Sequence, residues 1–216
     1  MSAGVTAANL APRIRAALGQ LGAELPVAAE TRFASLLAEL GRWNRRMNLT
    51  AIRDEQSMIR DHLLDSLAVL PRLTGSSVLD VGTGAGFPGL PLAIAEPGRR
   101  FHLVDSNNRK IQFVSHVSAL LQLDNVTAVH ARAEDYAPGH RFDTVIARAV
   151  ASVDALLTMA GHHVGEDGVF IAMKGRNPAQ ELALIPGSWE YDVSPLAVPG
   201  LPPDSRHVVV LRRTGA

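Results

Sequence analysis

The sequence predicts an α/β fold, in which a doubly wound and mostly parallel sheet follows a helical segment. Three observations lead to this prediction. Apolar residues recur at helical spacing over roughly the first 70 residues. From Ser77 onward, short apolar runs alternate with helical stretches. The remaining C-terminal residues contain two strand-like runs with no room for a helix between them.

The helical segment consists of three predicted helices, each with an apolar stripe at i, i+3 and i+4 spacing. Pro26 opens the second helix, and Pro71 with Gly75 marks the end of the third. The stripes contain Leu10, Ile14, Leu18 and Leu21, then Phe33, Leu36, Leu37 and Leu40, then Met58, Ile59, Leu63, Leu67 and Leu70.

The alternating region supplies the sheet. Its strand-like runs are SVLDV, FHLVD, VTAVHA, FDTVIARAV and GVFIAMKG, and the helical stretches between them include FPGLPLAIA, NRKIQFVSHVSALLQL and VDALLTMAGHHV. Strands that are joined by crossover helices pair in parallel. We therefore predict a parallel sheet with helices on both faces.

The C-terminal runs WEYDVSPLAVPG and RHVVVLRR are joined by a proline-rich turn, which predicts an antiparallel pair at one sheet edge. The link LTGSS is too short to act as a flexible tether, so the helical segment is expected to pack on the sheet. We predict a helical extension over residues 1–74 and a sheet domain over residues 75–216.

The composition excludes several kinds of chemistry. With 47% hydrophobic and 19% charged residues in 216, the chain is too apolar to be disordered. It has no cysteine, which excludes disulfides, thiolate metal sites and cysteine nucleophiles. Basic and acidic residues both number 21, so a nucleic acid must be met by a local basic patch. No apolar run approaches about 18 residues, so we expect a cytoplasmic protein.

The stretch VLDVGTGAGFPG is the most informative part of the sequence. Gly84, Gly86 and Gly89 satisfy the G-x-G-x-x-G spacing of dinucleotide binders, which leaves a nicotinamide-dependent oxidoreductase as an alternative. Counted from the strand, Asp80 followed by Gly82, Gly84 and Gly86 resembles motif I of class I S-adenosylmethionine methyltransferases. An acid beside the loop suits a cationic ligand better than a pyrophosphate. Alternatively, Asp80 bonds the loop amides and holds the turn.

Two further positions follow strands in the order that an adenosyl ligand requires. Asp105 ends the second strand, where a carboxylate accepts both hydroxyls of a ribose; otherwise it caps the next helix. Ala133 and Glu134 follow the third strand, where a small residue contacts the adenine ring and an acid accepts from its exocyclic amine. Together with the loop, these residues favour S-adenosylmethionine.

The sequence lacks the motifs of two classes of methyltransferase, which disfavours their methyl acceptors. Amino-group methyltransferases often carry an N/D-P-P-Y/F turn after the fourth strand, and this chain reads VIARAVAS there. Pyrimidine-carbon methyltransferases attack through a cysteine, which is missing. The remaining acceptors include guanine nitrogen-7, whose lone pair points outward and whose methylation releases no proton. Such an enzyme mainly positions the base and needs no general base.

Six motifs, in order, then carry a specific resemblance: WNRRMNLTAIRD, HLLDS, VLDVGTGAGFPGLPLAI, LVDSNNRKIQFV, IARAVAS and AMKG. From about residue 40 to about residue 180 the chain resembles the bacterial small-subunit ribosomal RNA methyltransferase G family, also called glucose-inhibited division protein B. The resemblance implies a class I methyltransferase fold, S-adenosylmethionine as methyl donor, and methylation of a guanine nitrogen-7 in 16S ribosomal RNA. The implied partner is that RNA or the small ribosomal subunit.

The resemblance also assigns residues. It places Gly82, Phe87, Ala133, Glu134 and Arg148 at the cofactor. Arg148, at the end of the fourth strand, is expected to bind the methionine carboxylate or to orient the guanine. Lys174 ends the fifth strand on the same sheet edge and is expected to position the guanine.

RNA contacts are expected from basic and polar residues outside the loop. RWNRRMNLTAIR interleaves basic residues with Trp43, which itself is expected in the core. The predicted RNA-binding residues are Arg45, Arg46, Asn48, Arg53, Arg109, Lys110 and Arg176.

His62 and Asp65 lie three positions apart on one helix face and are predicted to form a hydrogen-bonded pair in the site wall. Two such ligands make a poor cage, so no metal is expected. His162 and His163 are expected to be structural. We expect a monomer, and a non-catalytic RNA-binding module remains a second alternative.

Overall fold

The computed structural model describes residues 6–22 and 24–215. Residues 1–5 and Ala216, which are the outer ends of the two predicted domains, lie outside the described part. The helices α1 (Ala7–Leu21) and α2 (Ala29–Met47) pack against each other. Helix α2 ends at Asn48, whose φ of 48° lies in the left-handed region that asparagine tolerates at a helix end.

The third predicted helix runs over residues 55–67 and has a π-helical centre. Helix α3 (Glu55–Ser57) leads into the π segment Met58–Leu64, which continues as α4 (Asp65–Leu67). π segments are rare and occur frequently at functional sites. A 3₁₀ turn at Leu70–Arg72 follows, so Pro71 lies just past the helix end.

A seven-stranded sheet forms the centre of the molecule. Its strands are β1 (Ser77–Val81), β2 (Arg100–Asp105), β3 (Val126–His130), β4 (Phe142–Arg148), β5 (Val164–Lys174), β6 (Trp189–Pro195) and β7 (His207–Arg213). The order in the sheet is β3-β2-β1-β4-β5-β7-β6. The first five strands in this order pair with their neighbours in parallel. The predicted doubly wound sheet is confirmed. Its strand order reverses between β1 and β4, which is where ligands bind in open α/β sheets.

Helices cross between the strands. They are α5 (Gly89–Ala95), α6 (Asn108–Leu120), α7 (Val153–Ala160) and α8 (Ala179–Leu182), with a 3₁₀ turn at Gly161–His163.

The last two strands form the predicted antiparallel pair, but β7 inserts between β5 and β6. Because β7 runs antiparallel to β5, it begins at the edge where the parallel strands end. His207 is therefore the register partner of Lys174. This places the start of β7 beside the cavity.

One hydrophobic core contains both the helical segment and one face of the sheet, with Leu37 of α2 and Phe101 of β2 in the same cluster. Trp43, which is predicted in the core, is partly buried and packs edge-on against Phe113 of the core, with ring centroids 5.6 Å apart. The boundary at residue 74 stays a prediction. No helix in the described ranges is long and apolar enough to cross a membrane.

Candidate active site

The glycine loop turns sharply at the carboxyl end of β1. Gly82, Gly84 and Gly86 have φ of 64°, 62° and 83°, a region that side-chain-bearing residues rarely adopt. A Cβ on Gly82 would lie 2.7 Å from Val150 Cγ2, and one on Gly86 would overlap the side chain of Leu90. The loop therefore needs glycine both for its backbone angles and for its close packing.

Asp80 holds this loop from behind. One of its carboxylate oxygens accepts from Thr83 Oγ1 at 2.6 Å and from the Gly89 amide at 2.8 Å, whereas Oδ1 has no partner among the described residues. Burial raises the pKa of Asp80 to about 6, although the bonds from Thr83 and Gly89 act in the opposite direction. Asp80 does not line the cavity, so the structure favours its turn-holding role over the predicted direct contact with the cofactor.

The hydrogen bond from Gly89 to Asp80 also weighs against the dinucleotide alternative. The amide of Gly89 at the start of α5 donates to Asp80, and it is therefore not free to bind a pyrophosphate. A Cβ on Gly89 would lie 2.7 Å from Asp80 Oδ2 and from Leu103 Cγ. Gly89 thus serves the packing of α5 on the sheet.

Asp105 faces the loop from the end of β2. Its Oδ2 accepts from the Gly84 amide and its Oδ1 from the Asn107 amide, both at 2.8 Å. Asn107, and not Asp105, caps α6 by accepting from the Arg109 amide. Asp105 is 7% exposed and lines the cavity. This geometry fits the predicted ribose contact.

Ala133 and Glu134 lie farther along the same wall, past β3. Ala133 is buried, and its carbonyl accepts from His163 Nε2 at 2.9 Å, which fits the structural role predicted for His163. Glu134 is exposed and lies 3.6 Å from Arg132. Both predicted adenine contacts line the cavity.

These residues belong to a cavity of about 980 Å³ at the carboxyl edge of the sheet. Its volume is at the upper end of small-molecule sites, so a nucleoside-sized donor leaves room for an acceptor base. One half, which we term the donor half, contains the glycine loop, Asp105 and Ala133–Glu134. The part of the cavity lined by Thr50, Asp61, His62, Asp65, Lys174, Arg206 and His207 is termed the acceptor half.

Arg148 lies where the two halves meet and is held by several groups. Its Nη1 donates to the Asp61 carbonyl at 2.8 Å and to Asp65 Oδ2 at 2.9 Å. Its guanidinium carbon lies 5.9 Å from the centre of the Phe87 ring. Asp65 is 4% exposed and also accepts from Arg206 Nε at 3.0 Å. One buried carboxylate thus fixes two guanidinium groups at the cavity.

His62 completes this wall. Arg148 Nη2 lies 3.3 Å from His62 Nδ1, and a guanidinium only donates, so Nδ1 accepts. His62 Nε2 therefore carries the proton and donates to Thr50 Oγ1 at 3.0 Å. The ring stacks on Phe87 with centroids 4.6 Å apart. The predicted hydrogen-bonded pair of His62 and Asp65 is wrong, because the side chains of both bind Arg148 between them.

The pH dependence of stability should report on His62. Burial and the nearby Arg148 charge lower its pKa to about 4. Because the unfolded chain binds this proton near pH 6.5 and the folded chain does not, His62 removes stability as the pH falls below 6.5. Between pH 7 and pH 5 the loss from this residue should be about 2 kcal/mol.

Urea unfolding of the wild type and of a His62→Gln variant at both pH values checks this expectation. The free energy of unfolding of the variant should fall less between the two pH values. His140→Gln, at an exposed histidine, is the control and should behave as the wild type does. Equal pH dependence in the wild type and His62→Gln would contradict the prediction.

The comparisons with known proteins identify the family. Residues 29–209 match the family model described as rRNA small subunit methyltransferase G. The chain belongs to this family. A ribosomal RNA small subunit methyltransferase G from Marinobacter nauticus is 41% identical over 202 residues, covering 93% of this chain and 94% of the relative. Its namesake from Legionella pneumophila is 47% identical over 162 residues, covering 75% and 77%. The resemblance seen in the motifs is confirmed.

Solved structures agree on the fold of this methyltransferase family member. A methyltransferase from Geobacter sulfurreducens superposes with a TM-score of 0.59 at 16% identity, covering 93% of this chain and 97% of the other. A glycopeptide N-methyltransferase complexed with S-adenosylhomocysteine gives a TM-score of 0.60 at 13% identity, covering 70% and 90%. The predicted class I methyltransferase fold is confirmed, and the oxidoreductase alternative gains no support.

Lys174 of this methyltransferase lines the cavity but is already engaged. Its Nζ donates to the Ala151 carbonyl at 2.6 Å and lies 2.7 Å from Glu181 Oε2. Glu181 also accepts from the Val153 amide. Lys174 therefore clamps the segment after β4, and the structure favours this role over the predicted contact with guanine.

The predicted RNA-binding residues separate into groups. Arg45 and Arg46 are exposed beside Trp43, and neither forms an ion pair within residues 6–22 and 24–215. Arg53 donates to Asn48 at 3.0 Å, so these two residues form one exposed unit.

The other three predicted RNA contacts lie elsewhere. Arg109 is exposed at the start of α6. Lys110 lines the donor half, 3.9 Å from Asp105, which places it at the cofactor side instead of on an outer RNA surface. Arg176 lies in a separate groove beside β6.

Four residues of the acceptor half were missed by sequence reasoning: Thr50, Asp61, Arg206 and His207. Asn44, which supports Thr50 from outside the cavity lining, was missed as well. Asn44 is 2% exposed and binds both the amide and the carbonyl of Thr50, which positions Thr50 for His62. The sequence contained a sign of this role, because Asn44 lies four positions after Leu40 and is a polar residue at a position where the apolar stripe of the helix predicts an apolar one.

Proposed function

We propose that this protein methylates nitrogen-7 of a guanine in 16S ribosomal RNA, with S-adenosylmethionine as the methyl donor. The observation that carries the proposal is that one large cavity, in a member of this family, is lined both by Asp105, Ala133 and Glu134 and by the side chains around Arg148. The target lies in ribosomal RNA, so we expect the protein to act in the cytoplasm, as a monomer.

The donor half fits an adenosyl ligand. When bound, S-adenosylmethionine supplies an electrophilic methyl group. Asp105 would accept the ribose hydroxyls, and Ala133 with Glu134 would contact the adenine. Gly84 would allow the backbone to approach the ligand closely, because a Cβ there would meet no protein atom closer than 3.9 Å and the space over it is open. Arg148, a fixed cation where the halves meet, would bind the methionine carboxylate.

The acceptor half needs to orient a base and exclude water. Guanine nitrogen-7 attacks with an outward lone pair and loses no proton, so the reaction needs no general base. His62, the histidine nearest to Arg148, accepts from that arginine through Nδ1 and donates to Thr50 through Nε2. His62 therefore forms part of the cavity wall and does not act as a general base. The rate gain would come from holding the acceptor in line with the methyl group.

The test is transfer of tritiated methyl groups to small ribosomal subunits, and to their free RNA, from cells that lack this modification. We expect labelled 7-methylguanosine after nuclease digestion. Incorporation elsewhere, or none while S-adenosylhomocysteine binds, would refute the acceptor assignment. Calorimetry separates the oxidoreductase alternative, because that enzyme would bind a nicotinamide dinucleotide and ignore S-adenosylhomocysteine.

The exposed arginines of α2 provide a prediction about RNA binding. A variant with Arg45→Glu and Arg46→Glu should raise KM for the RNA substrate by about 10-fold to 100-fold, since two phosphate contacts are lost and repulsion is added. Affinity for S-adenosylhomocysteine should not change, because neither residue lines the cavity. The slope of log KM against log salt should fall by about 2.

A matched variant with Arg141→Glu and Arg212→Glu makes the same charge change at exposed residues near the opposite sheet edge. This variant should keep the wild-type KM for the RNA substrate and the wild-type slope of log KM against log salt. If the two double variants behave alike, α2 is not the RNA-binding surface.

A further inference from the structure

A buried histidine supports the part of the donor half that is expected to bind adenine. His163 is 3% exposed, lies in the 3₁₀ turn between α7 and β5, and does not line the cavity. Its Nε2 lies 2.9 Å from the carbonyl oxygen of Ala133, 30 positions earlier in the chain. A carbonyl oxygen only accepts, so Nε2 carries the proton and donates. The side chain of His163 thus ties the turn after α7 to a residue of the cavity wall.

The segment Ala133–Tyr136 follows β3 and is held at both ends. At its start, the Ala133 carbonyl accepts from His163 and also from the Tyr136 amide at 3.4 Å. At its end, the Tyr136 hydroxyl lies 2.6 Å from Nδ1 of His102, a residue of β2. The rings of Tyr136 and His163 also pack, with centroids 5.9 Å apart. Two histidines from separate elements therefore hold this short segment on the sheet.

Glu134 lies inside this segment, and its own side chain is only weakly held. The side chain is 47% exposed and lies 3.6 Å from Arg132, whose side chain is 69% exposed. Such an exposed ion pair contributes little, since water screens both charges. The direction of the Glu134 carboxylate therefore depends on the backbone on either side of it, which is the backbone that His163 and His102 hold.

The exocyclic amine of adenine is the group that a carboxylate at this place can recognise. The amine donates, and an ionised carboxylate only accepts. A base with a carbonyl at that position would place two acceptors against each other, and a site built for a donor rejects such an analogue. This selection requires that the carboxylate is held in place, because recognition depends on supporting residues that fix the contacting group.

We propose that His163 is a positioning residue for the cofactor. Its hydrogen bond to the Ala133 carbonyl holds Glu134 at the exocyclic amine and so sets the preference of the donor half for an aminopurine. This inference rests on the proposed function and names the residue that supports recognition of its methyl donor. His163 touches no ligand itself and acts through Ala133.

Calorimetry with two ligands tests the inference. They are S-adenosylhomocysteine and S-inosylhomocysteine, in which a carbonyl replaces the exocyclic amine. The wild type should bind the adenosyl ligand at least about 10-fold more tightly. His163→Leu keeps apolar bulk and loses the donor, so it should lower affinity for the adenosyl ligand by about 10-fold, with little change for the inosyl ligand. The preference for the amine should therefore nearly vanish.

Two further variants control for the loss of the ring. His163→Gln carries an amide donor at nearly the reach of Nε2 and should keep the wild-type preference. His162→Leu makes the same change as His163→Leu at the exposed neighbour in the same turn, and it should also keep the preference. If His163→Leu does not fold, His163→Asn, whose amide stops one methylene short, takes its place with the same expected loss.

A purely structural role for His163 predicts a different result, namely lower stability with an equal loss of affinity for both ligands or for neither. Either result would overturn the inference, as would a His163→Gln variant that behaves as His163→Leu does. A wild type that binds both ligands equally would overturn it as well. If the wild type binds no S-adenosylhomocysteine at all, the proposed function fails first.

Discussion

Replacing Arg148 with lysine should lower kcat/KM for methyl transfer by about 100-fold, because one ammonium cannot replace two charge-assisted guanidinium bonds. Arg148 donates from Nη1 to the Asp61 carbonyl and to Asp65, and its Nη2 faces His62. Lysine keeps the positive charge but lacks the two terminal nitrogens with which the guanidinium group faces these partners at once.

Two measurements separate the roles that the sequence left open for Arg148. If it binds the methionine carboxylate, Arg148→Lys should weaken S-adenosylhomocysteine binding in calorimetry by about 10-fold or more. If it orients guanine, KM for the RNA should rise while that affinity is kept. Arg212→Lys, at an exposed arginine of β7, is the matched control and should be neutral. Full activity of Arg148→Lys would contradict both roles.

The second large effect should follow from Asp65→Asn, which should reduce the free energy of unfolding by about 3 kcal/mol and abolish most of the activity. Asp65 is buried between Arg148 and Arg206 and accepts from both. The amide removes the negative charge and directs a donor at one of the two cations, which then repel each other.

Chemical denaturation measures the stability, and Asp167→Asn at an exposed aspartate is the control. Adding Arg206→Gln to Asp65→Asn should cost less than the sum of the two single changes, because the repelling charge is then gone. Strict additivity would show that Asp65 does not couple the two arginines.

The donor half was largely predictable because its residues are local in sequence. Gly82, Phe87, Asp105 and Ala133 lie at the carboxyl ends of strands or within a few residues past them, and the carboxyl ends of parallel strands meet at one edge. Once the strand–helix alternation is recognised, their proximity follows. Asp80 lies near the carboxyl end of β1, and only its burial behind the loop distinguishes its structural role from a cofactor contact.

The acceptor half was less predictable because it is assembled from distant segments. Asp61 and His62 reach the cavity from the π segment and Asp65 from the residue after it, and the wider turn of that segment is not apparent from apolar spacing. The spacing of His62 and Asp65 suggested that they bind each other. Arg148, from more than 80 positions away in sequence, binds both instead.

The sequence by itself determined the fold class, the methyltransferase family and the donor half, because periodicity, glycine spacing and strand-end residues are local properties of the chain. Only the tertiary structure decided which cations meet at the acceptor half. β7 inserts in reverse beside β5, and this places Arg206 and His207 next to Lys174 and Asp65. The physical reason is that strand insertion depends on which sheet edge the whole core leaves open for pairing, and no local pattern encodes that choice.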